Sequence, residues 1–539
     1  MKTVLTALNA RFTHSSLALR YLKRYNADFE IKLAEFSIND SLQHMYAELL
    51  QEKAEVYGFS CYIWNMELTL KLAEMLAKAM PEATVFLGGP EAGYRGEQVL
   101  KQAPFVDFVM AGEGEETLRG LLSALEEKKP VSAVPGLVGR GMKFIPGAPL
   151  DLARMPQPYT PEDLQTLRGK IVYFETSRGC PFRCGYCLSS AEGAVRSFPM
   201  EYVKQGLSML FAAKVPLVKL IDRTFNYDSR RAAEILRFIL AENQSTCVHM
   251  ELEPRILTDE VIEILGSAPK GMFQAEMGIQ SANPKTLAAV GRVSEPEKTA
   301  ENIRRLQGFG NMHIHLDLIA GLPFEDYESF GNSFDYVYAL RPDMLQLGFL
   351  KVLPGTAIQE NADITAAAFP PYEVLKTAWL KPEELCRLKE TEEAVELFYN
   401  SGVFQKTVEK LTENSGFSRF EELGQLLAQA QKKGKLKRRD LYGVLYDAYG
   451  EPVRAALAED FIRNNKSIPL PDFVRPQRER GFKDRSYRLM KQPWFCEQFG
   501  VEPDLSRLRF ERMDGRAYMM DYETGRLFDI TAEISAVEE

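Results

Sequence analysis

The residues with the densest chemistry stand at Cys180-Pro181-Phe182-Arg183-Cys184-Gly185-Tyr186-Cys187. Three thiolates on one short loop ligate three irons of a 4Fe-4S cube and leave the fourth iron open to a substrate or cofactor. A closed structural zinc site asks for four ligands, and the next ones, Cys247 and His249, lie on a different strand-like segment. Cys61, Cys386 and Cys496 stand alone. Seven cysteines so placed do not form a secreted disulfide framework, and a metal site in a reducing compartment is expected.

The elements that must position this loop form an alternating series. Strand-like runs at 171–176, 217–222, 247–252, 272–279, 312–319 and 344–352 are separated by helical runs such as 229–243, 258–267 and 326–340. About six β/α units of this kind make an open, partial parallel barrel, with ligands at the carboxyl ends of the strands. An earlier series, Val4–Leu8, Ile31–Phe36, Val56–Ser60, Val85–Leu87 and Phe105–Met110, with a helix over Leu68–Met80, predicts a Rossmann-like doubly wound sheet over 1–125. Residues 126–168 are Pro- and Gly-rich and read as a linker; the barrel takes 169–360, and 361–539 is mostly helical, with long patterns at Pro382–Tyr399, Phe420–Lys433 and Asp440–Asn464 and a small hairpin over Tyr518–Phe528. The expected fold class is α/β with a helical C-terminal extension.

Composition bounds the function. The 539 residues carry 66 Lys+Arg against 75 Asp+Glu, a net charge of −9, which excludes a generally basic nucleic-acid binder. The single dense basic run, Lys432 to Arg439, reads as a solvated turn between helices. No apolar run reaches the ~18 residues of a membrane span, and Met1-Lys2-Thr3-Val4 leads straight into a strand; a cytoplasmic protein is expected.

The C-x3-C-x2-C spacing after a strand, with Tyr186 before the last cysteine, resembles the radical S-adenosylmethionine (radical SAM) superfamily over about residues 168–360. The resemblance implies a 4Fe-4S cluster on Cys180, Cys184 and Cys187. Its open iron is chelated by SAM, which one electron cleaves to methionine and a 5′-deoxyadenosyl radical that takes a hydrogen atom from a substrate. Matched residue by residue, Asp222 falls where the family accepts the SAM amino group, and Glu251 and Glu253 fall on the third strand near the ribose. Glu276, Gln280 and Ser281 lie in the fourth-strand motif Glu276-Met277-Gly278-Ile279-Gln280-Ser281, and Asp317 and Gly321 lie in the fifth-strand segment against adenine. Arg183 and Arg292 are candidates to hold the SAM carboxylate or the cluster charge. His313 and His315 share a strand face and read as core or supporting residues.

The first domain resembles the cobalamin-binding domain that precedes the radical SAM domain in one class of these enzymes. The resemblance places Asn9, Ser60, Trp64, Gly88, Gly89, Gly112 and Glu113 around the cofactor, with Trp64 or Tyr62 either beneath the corrin or in core packing. Where a histidine lower ligand would come from D-x-H-x-x-G, this chain has Asn9-Ala10-Arg11-Phe12-Thr13-His14. Arg11 takes the ligand's place and His14 reads as a loop or helix-start residue. G-x-G-x-x-G is absent after the first strand, which disfavours a dinucleotide. The region from ~370 resembles an uncharacterised extension found with this domain pair. The implied function is methyl transfer to an unactivated carbon of a small-molecule or peptide substrate, with flavodoxin or ferredoxin as electron donor. A methylthiotransferase-like RNA-modifying enzyme, a radical cyclase or oxidoreductase, and a non-catalytic cluster- or corrin-binding sensor are the alternatives.

Overall fold

The computed structural model describes residues 1–536 apart from 192, 414, 475–480 and 514. The first sheet is built from β1 (Thr3–Asn9), β2 (Ile31–Ser37), β3 (Val56–Ser60), β4 (Thr84–Gly88), β5 (Phe108–Met110) and β6 (Leu137–Gly139), in the order β2-β1-β3-β4-β5-β6. The first five are parallel, and β1, β3, β4 and β5 are largely apolar on both faces, as a sheet covered by helices requires. Val4, Leu8, Tyr57 and Phe59 pack on one side, and Leu5, Ala7, Val56 and Phe86 on the other. β6 corrects the linker expectation: Leu137-Val138-Gly139 pairs antiparallel with β5 and covers its edge.

The second sheet begins with β7 (Val172–Phe174), followed by a two-residue pair, β8 (Ser177–Arg178) and β9 (Arg196–Ser197), that closes off the cysteine loop. It continues through β10 (Leu217–Leu220), β11 (Cys247–Glu251), β12 (Phe273–Gln280), β13 (His313–Ala320) and β14 (Met344–Phe349), in the order β14-β13-β12-β11-β10-β7. The crossover helices have sequence-encoded starts. Asp228 caps Ser229–Glu242, Thr258 caps Asp259–Gly266 and Asn283 caps Pro284–Ala289, each by accepting backbone N–H bonds. β12 alternates buried with half-buried residues along its whole length, and β13 does so after an exposed His313. One face therefore packs under the helices and the other lines the lumen.

By packing, the chain divides into two units: residues 1–330 with 348–381, and residues 331–347 with 382–539. The segment after β14 up to residue 381 stays, by packing, within the first unit. There β15 (Ile364–Ala366) and β16 (Val374–Thr377) form a hairpin, Lys351 bridges to Glu373, and Val352 N–H donates to the Tyr372 carbonyl at 2.9 Å. The second unit is mostly helical, with an aromatic core that includes Phe398, Phe404, Phe420, Tyr442 and Phe461. The single helix expected over 440–464 is two, Asp440–Tyr449 and Glu451–Asn464, because Gly450 at φ 63° and Pro452 after it interrupt the hydrogen-bond ladder. The basic run forms the exposed turn before the first of these. The C-terminal hairpin is a three-stranded sheet of β17 (Leu508–Met513), β18 (Arg516–Asp521) and β19 (Arg526–Asp529). No described helix is long and apolar enough to cross a membrane.

Candidate functional site

The cysteine loop leaves β7 under tight control. Thr176 N–H (2.9 Å) and the Thr176 and Ser177 hydroxyls (2.6 Å each) all donate to the Asp222 carboxylate, which is 1% exposed. This corrects the assignment of Asp222 to the SAM amino group. Its oxygens are committed to the chain, and it acts as a clamp on the strand exit.

Gly179, at φ 90°, then turns the chain into the loop. Cys184 is buried, while Cys180 and Cys187 are half-buried. Cys187 N–H donates to the Cys184 carbonyl at 3.0 Å, closing a turn that sets both thiols on one side. Cys180 Sγ lies 3.5 Å from Thr224 Oγ1, and Arg292 Nη1 lies 3.7 Å from Cys184 Sγ. Burial pushes the Cys184 thiol up, Arg292 pulls it down, and Cys187 and Cys180 push it up again. The three thiols thus lie near enough to oppose one another's ionisation, and a multinuclear cation that bound all three as thiolates would relieve that opposition. The donor set therefore fits a 4Fe-4S cluster with one open iron.

Arg292 ties the loop to the barrel. It donates to the Gly278 carbonyl at 2.8 Å and pairs with Glu253 Oε2 at 3.0 Å. Gly291 before it has φ 74°, and a Cβ there would stand 2.8 Å from the Arg183 carbonyl, so only glycine lets the two segments approach. Of the two candidate arginines, Arg292 is the one at the cluster; Arg183 donates to the Ser190 carbonyl at 2.5 Å. Glu253 is also corrected. Strand β11 ends at Glu251, and Glu253 caps the turn Pro254–Ile256 while holding Arg292. Tyr186 is shifted upward by burial, with Arg292 opposing.

At the end of β12 the ladder breaks between Gly278 and Gln280, and Gln280 takes φ 69°. Its amide folds back so closely that a Cβ on Gly278 would meet Gln280 Nε2 at 2.0 Å, and its buried Oε1 has no hydrogen-bond partner. That orphaned acceptor beside the cluster loop fits a ligand with donors, as SAM has. Ser281 Oγ donates to Glu325 Oε1 at 2.7 Å, and Gly321 has φ 92° at the end of β13. Glu251 is pushed up to about 7 by burial, with Arg223 opposing and Glu276 adding to the rise. Glu276 and Asp317 lie deeper in the lumen, with His315.

The ends of β1, β3, β4 and β5 meet this barrel within the first unit. Asn9 Nδ2 donates to Glu35 Oε2 at 3.0 Å. Ser60 ends β3, and beyond it Trp64 stacks on Tyr62 with centroids 4.3 Å apart while staying 47% exposed. Gly88 ends β4; Gly89 takes φ 98°, where a Cβ would meet the Cys61 carbonyl at 2.7 Å, and Gly112 takes φ 84° beside open space. A flat aromatic pair and two glycine turns at strand ends fit a large planar cofactor. His14 precedes a helix, bonds the Tyr173 hydroxyl and stacks on its ring at 6.1 Å, in line with a loop histidine. Glu113 is corrected. Its Oε1 receives Arg178 (2.7 Å) and Arg196 (2.8 Å), and its Oε2 receives Leu150 N–H (2.9 Å), so it joins the two sheets' domains and does not face a cofactor.

Arg178 was missed by the sequence reading. It also binds Glu115 (2.8 Å) and Glu175 (2.8 Å), and it lies over the Tyr21 ring at 5.3 Å. Its one local signal is its place two residues before Cys180. Glu91, Arg95 and Tyr372 form a second missed junction.

Residues 3–122 match the B12 binding domain, 174–337 the Radical SAM superfamily, and 361–508 the family described as a protein of unknown function (DUF4080). The chain is 28% identical over 315 residues to the 2-(S-pantetheinyl)-carbapenam-3-carboxylate methyltransferase of Streptantibioticus cattleyicolor, covering 54% of this chain and 45% of that one. It therefore spans a little under half of that relative's length. It is 24% identical over 364 residues to an uncharacterized methyltransferase of Pyrococcus horikoshii, covering 65% and 79%. Its fold resembles the radical S-adenosylmethionine methyltransferase TsrM from Kitasatospora setae, with TM-score 0.59, 18% identity and coverage of 72% and 81%. The fold likewise resembles the cobalamin-dependent enzyme OxsB, with TM-score 0.60, 14% identity and coverage of 86% and 75%.

The matched models thus give the chain a B12-binding domain followed by a radical SAM domain, a pair whose cofactors are a 4Fe-4S cluster, SAM and cobalamin, with the DUF4080 domain behind the barrel.

Proposed function

We propose that the chain is a cobalamin-dependent radical SAM methyltransferase acting at an unactivated carbon of a small molecule or peptide. The observation that carries this reading is the junction at Arg178. One guanidinium on the strand that feeds the cysteine loop binds Glu113 and Glu115 from the end of the B12-binding sheet, so the two cofactor sites share one unit. When bound, the cluster supplies the electron that cleaves SAM, and the cobalamin supplies the methyl group.

The chain's own residues bind and orient. Cys180, Cys184 and Cys187 would hold the irons, and Arg292, 3.7 Å from Cys184 Sγ, would offset thiolate charge. Gln280 and Gly321 would receive the nucleoside at the strand ends, with Ser281 held beneath them by Glu325. Glu251, with its carboxyl near 7, holds or releases a proton near neutral pH. The stacked Trp64 and Tyr62 would hold the corrin by ring contact, and Asn9, Ser60, Gly88, Gly89 and Gly112 at the strand ends would leave room for it. The methyltransferase relatives support the transfer. A one-electron carrier of the flavodoxin or ferredoxin type and a reducing, cytoplasmic setting complete the reading.

The test is anaerobic reconstitution with iron, sulfide, cobalamin, SAM and a strong one-electron reductant, followed by mass spectrometry. We expect 5′-deoxyadenosine that vanishes in Cys184→Ala, together with S-adenosylhomocysteine that requires cobalamin. Deoxyadenosine without any cobalamin-dependent S-adenosylhomocysteine, across amine, peptide and heterocycle substrates, overturns methyl transfer. Absence of both from a fully loaded protein overturns the catalytic reading.

A further inference from the structure

Below the cofactor-facing strand ends, the lumen holds a second group of ligating side chains. On β13, His315 and Asp317 are two residues apart and so share the lumen face; on β12, Glu276 is the register partner of His315. One donor atom from each of the three lies within 4.8 Å of the others. His315 Nε2 and Asp317 Oδ1 are 2.9 Å apart and buried, yet neither makes an aligned hydrogen bond. Two donors bound at about 2.0–2.1 Å and roughly 90° apart are separated by about 2.9 Å. The pair has the distance of an ion pair between a protonated imidazole and a carboxylate, and the same distance is one edge of a coordination polyhedron.

The surroundings follow the same pattern. His249 on β11, 9% exposed, is 3.1 Å from Glu276 Oε2 through its Nε2, which orients the carboxylate from behind as the outer partners of metal ligands do. Its Nδ1 is buried without a partner. Lys219 on β10 reaches Glu276 Oε2 at 3.3 Å and is 31% exposed.

We propose that Glu276, His315 and Asp317 bind a first-row divalent cation of the Mn(II) or Fe(II) kind. One imidazole and two carboxylates on one face form a mixed nitrogen and oxygen set with open positions on the opposite side, toward the lumen. The soft thiolate site at Cys180, Cys184 and Cys187 prefers other metals. Open positions below the strand ends would take an oxygen or nitrogen donor of the substrate. Glu276 and Asp317 then serve this site and leave SAM to Gln280 and Gly321.

The test uses full-length protein with its cluster reconstituted. Mn(II) is titrated in, and the free ion's six-line electron paramagnetic resonance signal is read. We expect one Mn(II) bound per chain, binding weakened more than tenfold in His315→Ala and Asp317→Asn, and binding weakened about 10–100-fold in His249→Ala. Cys184→Ala keeps the site. Circular dichroism reports folding of each variant, and Glu276→Gln, which preserves shape, replaces any that unfolds. No stoichiometric Mn(II) at millimolar concentration overturns the proposal. So does Mn(II) binding that survives in folded His315→Ala and Glu276→Gln, or that is lost in Cys184→Ala.

Discussion

Replacing Arg178 by methionine keeps most of the side chain's length and removes its charge from among three carboxylates. Arg178 is 14% exposed, with Glu115 at 7%, Glu175 at 9% and Glu113 at 23%, so water restores little of what the guanidinium supplied. Breaking a buried pair costs about 3–5 kcal/mol, because the remaining charges are left unpaired.

The pH dependence has a definite sign. Burial already pushes Glu175 up to about 7, with Arg178 opposing that rise. Glu113 is held below the usual carboxylate range, where burial raises it but Arg196 and Arg178 outweigh burial. Without the arginine, Glu175 rises further above its unfolded value, and Glu113 loses one of the two guanidinium groups that hold it low. The folded variant then takes up more protons than its unfolded chain, so its stability increases as pH falls. In the parent protein the Glu113 contribution runs the other way: it is present above the unfolded carboxyl range and lost as pH falls through the folded value. The stability gap between parent and Arg178→Met should therefore be widest near pH 8 and narrow toward pH 5.5. Urea unfolding of the cluster-free protein at both pH values measures it. A gap below about 1 kcal/mol at pH 8, or one that widens on acidification, would show that the network does not join the two domains as described.

Asp222→Asn leaves the Thr176 N–H and two hydroxyls facing an amide in place of a carboxylate, which costs roughly 2–4 kcal/mol. Reconstituted protein should hold less iron per chain, and an unchanged iron content refutes the clamp. Gly291→Ala meets both a φ of 74° and a carbonyl at 2.8 Å. The backbone alone costs about 1–2 kcal/mol, and cluster absorbance should decay faster in air than in the parent. In the C-terminal unit, the Arg507 guanidinium first, with burial opposing, holds the Asp521 carboxyl well below the usual range. Its stabilisation is full above the unfolded carboxylate value and lost as pH falls, so Asp521→Asn should unfold the three-stranded sheet earlier at pH 7 while narrowing the difference at pH 3. Circular dichroism against urea checks both arms.

Local pattern alone determined several features of this protein. The cysteine spacing is a property of eight consecutive residues, and the two strand series follow from apolar runs whose period needs no partner to be read. Glycines at strand ends were legible for the same reason, since a positive φ is settled within one or two residues. What depended on contacts between distant segments was not legible. Asp222 carries the right residue type at the right strand end, but three donors 45 and 46 residues away bury it. Glu113 was assigned to the cofactor because nothing near it in sequence announces Arg178 or Arg196. Leu137-Val138-Gly139 is too short for its alternation to be read, and it becomes a strand because β5 needs an edge. His315 and Asp317 announce a shared face by their spacing, but Glu276 joins them through the β12–β13 register. Register is fixed by which apolar faces must be buried together, a property of the packed sheet that no single strand contains.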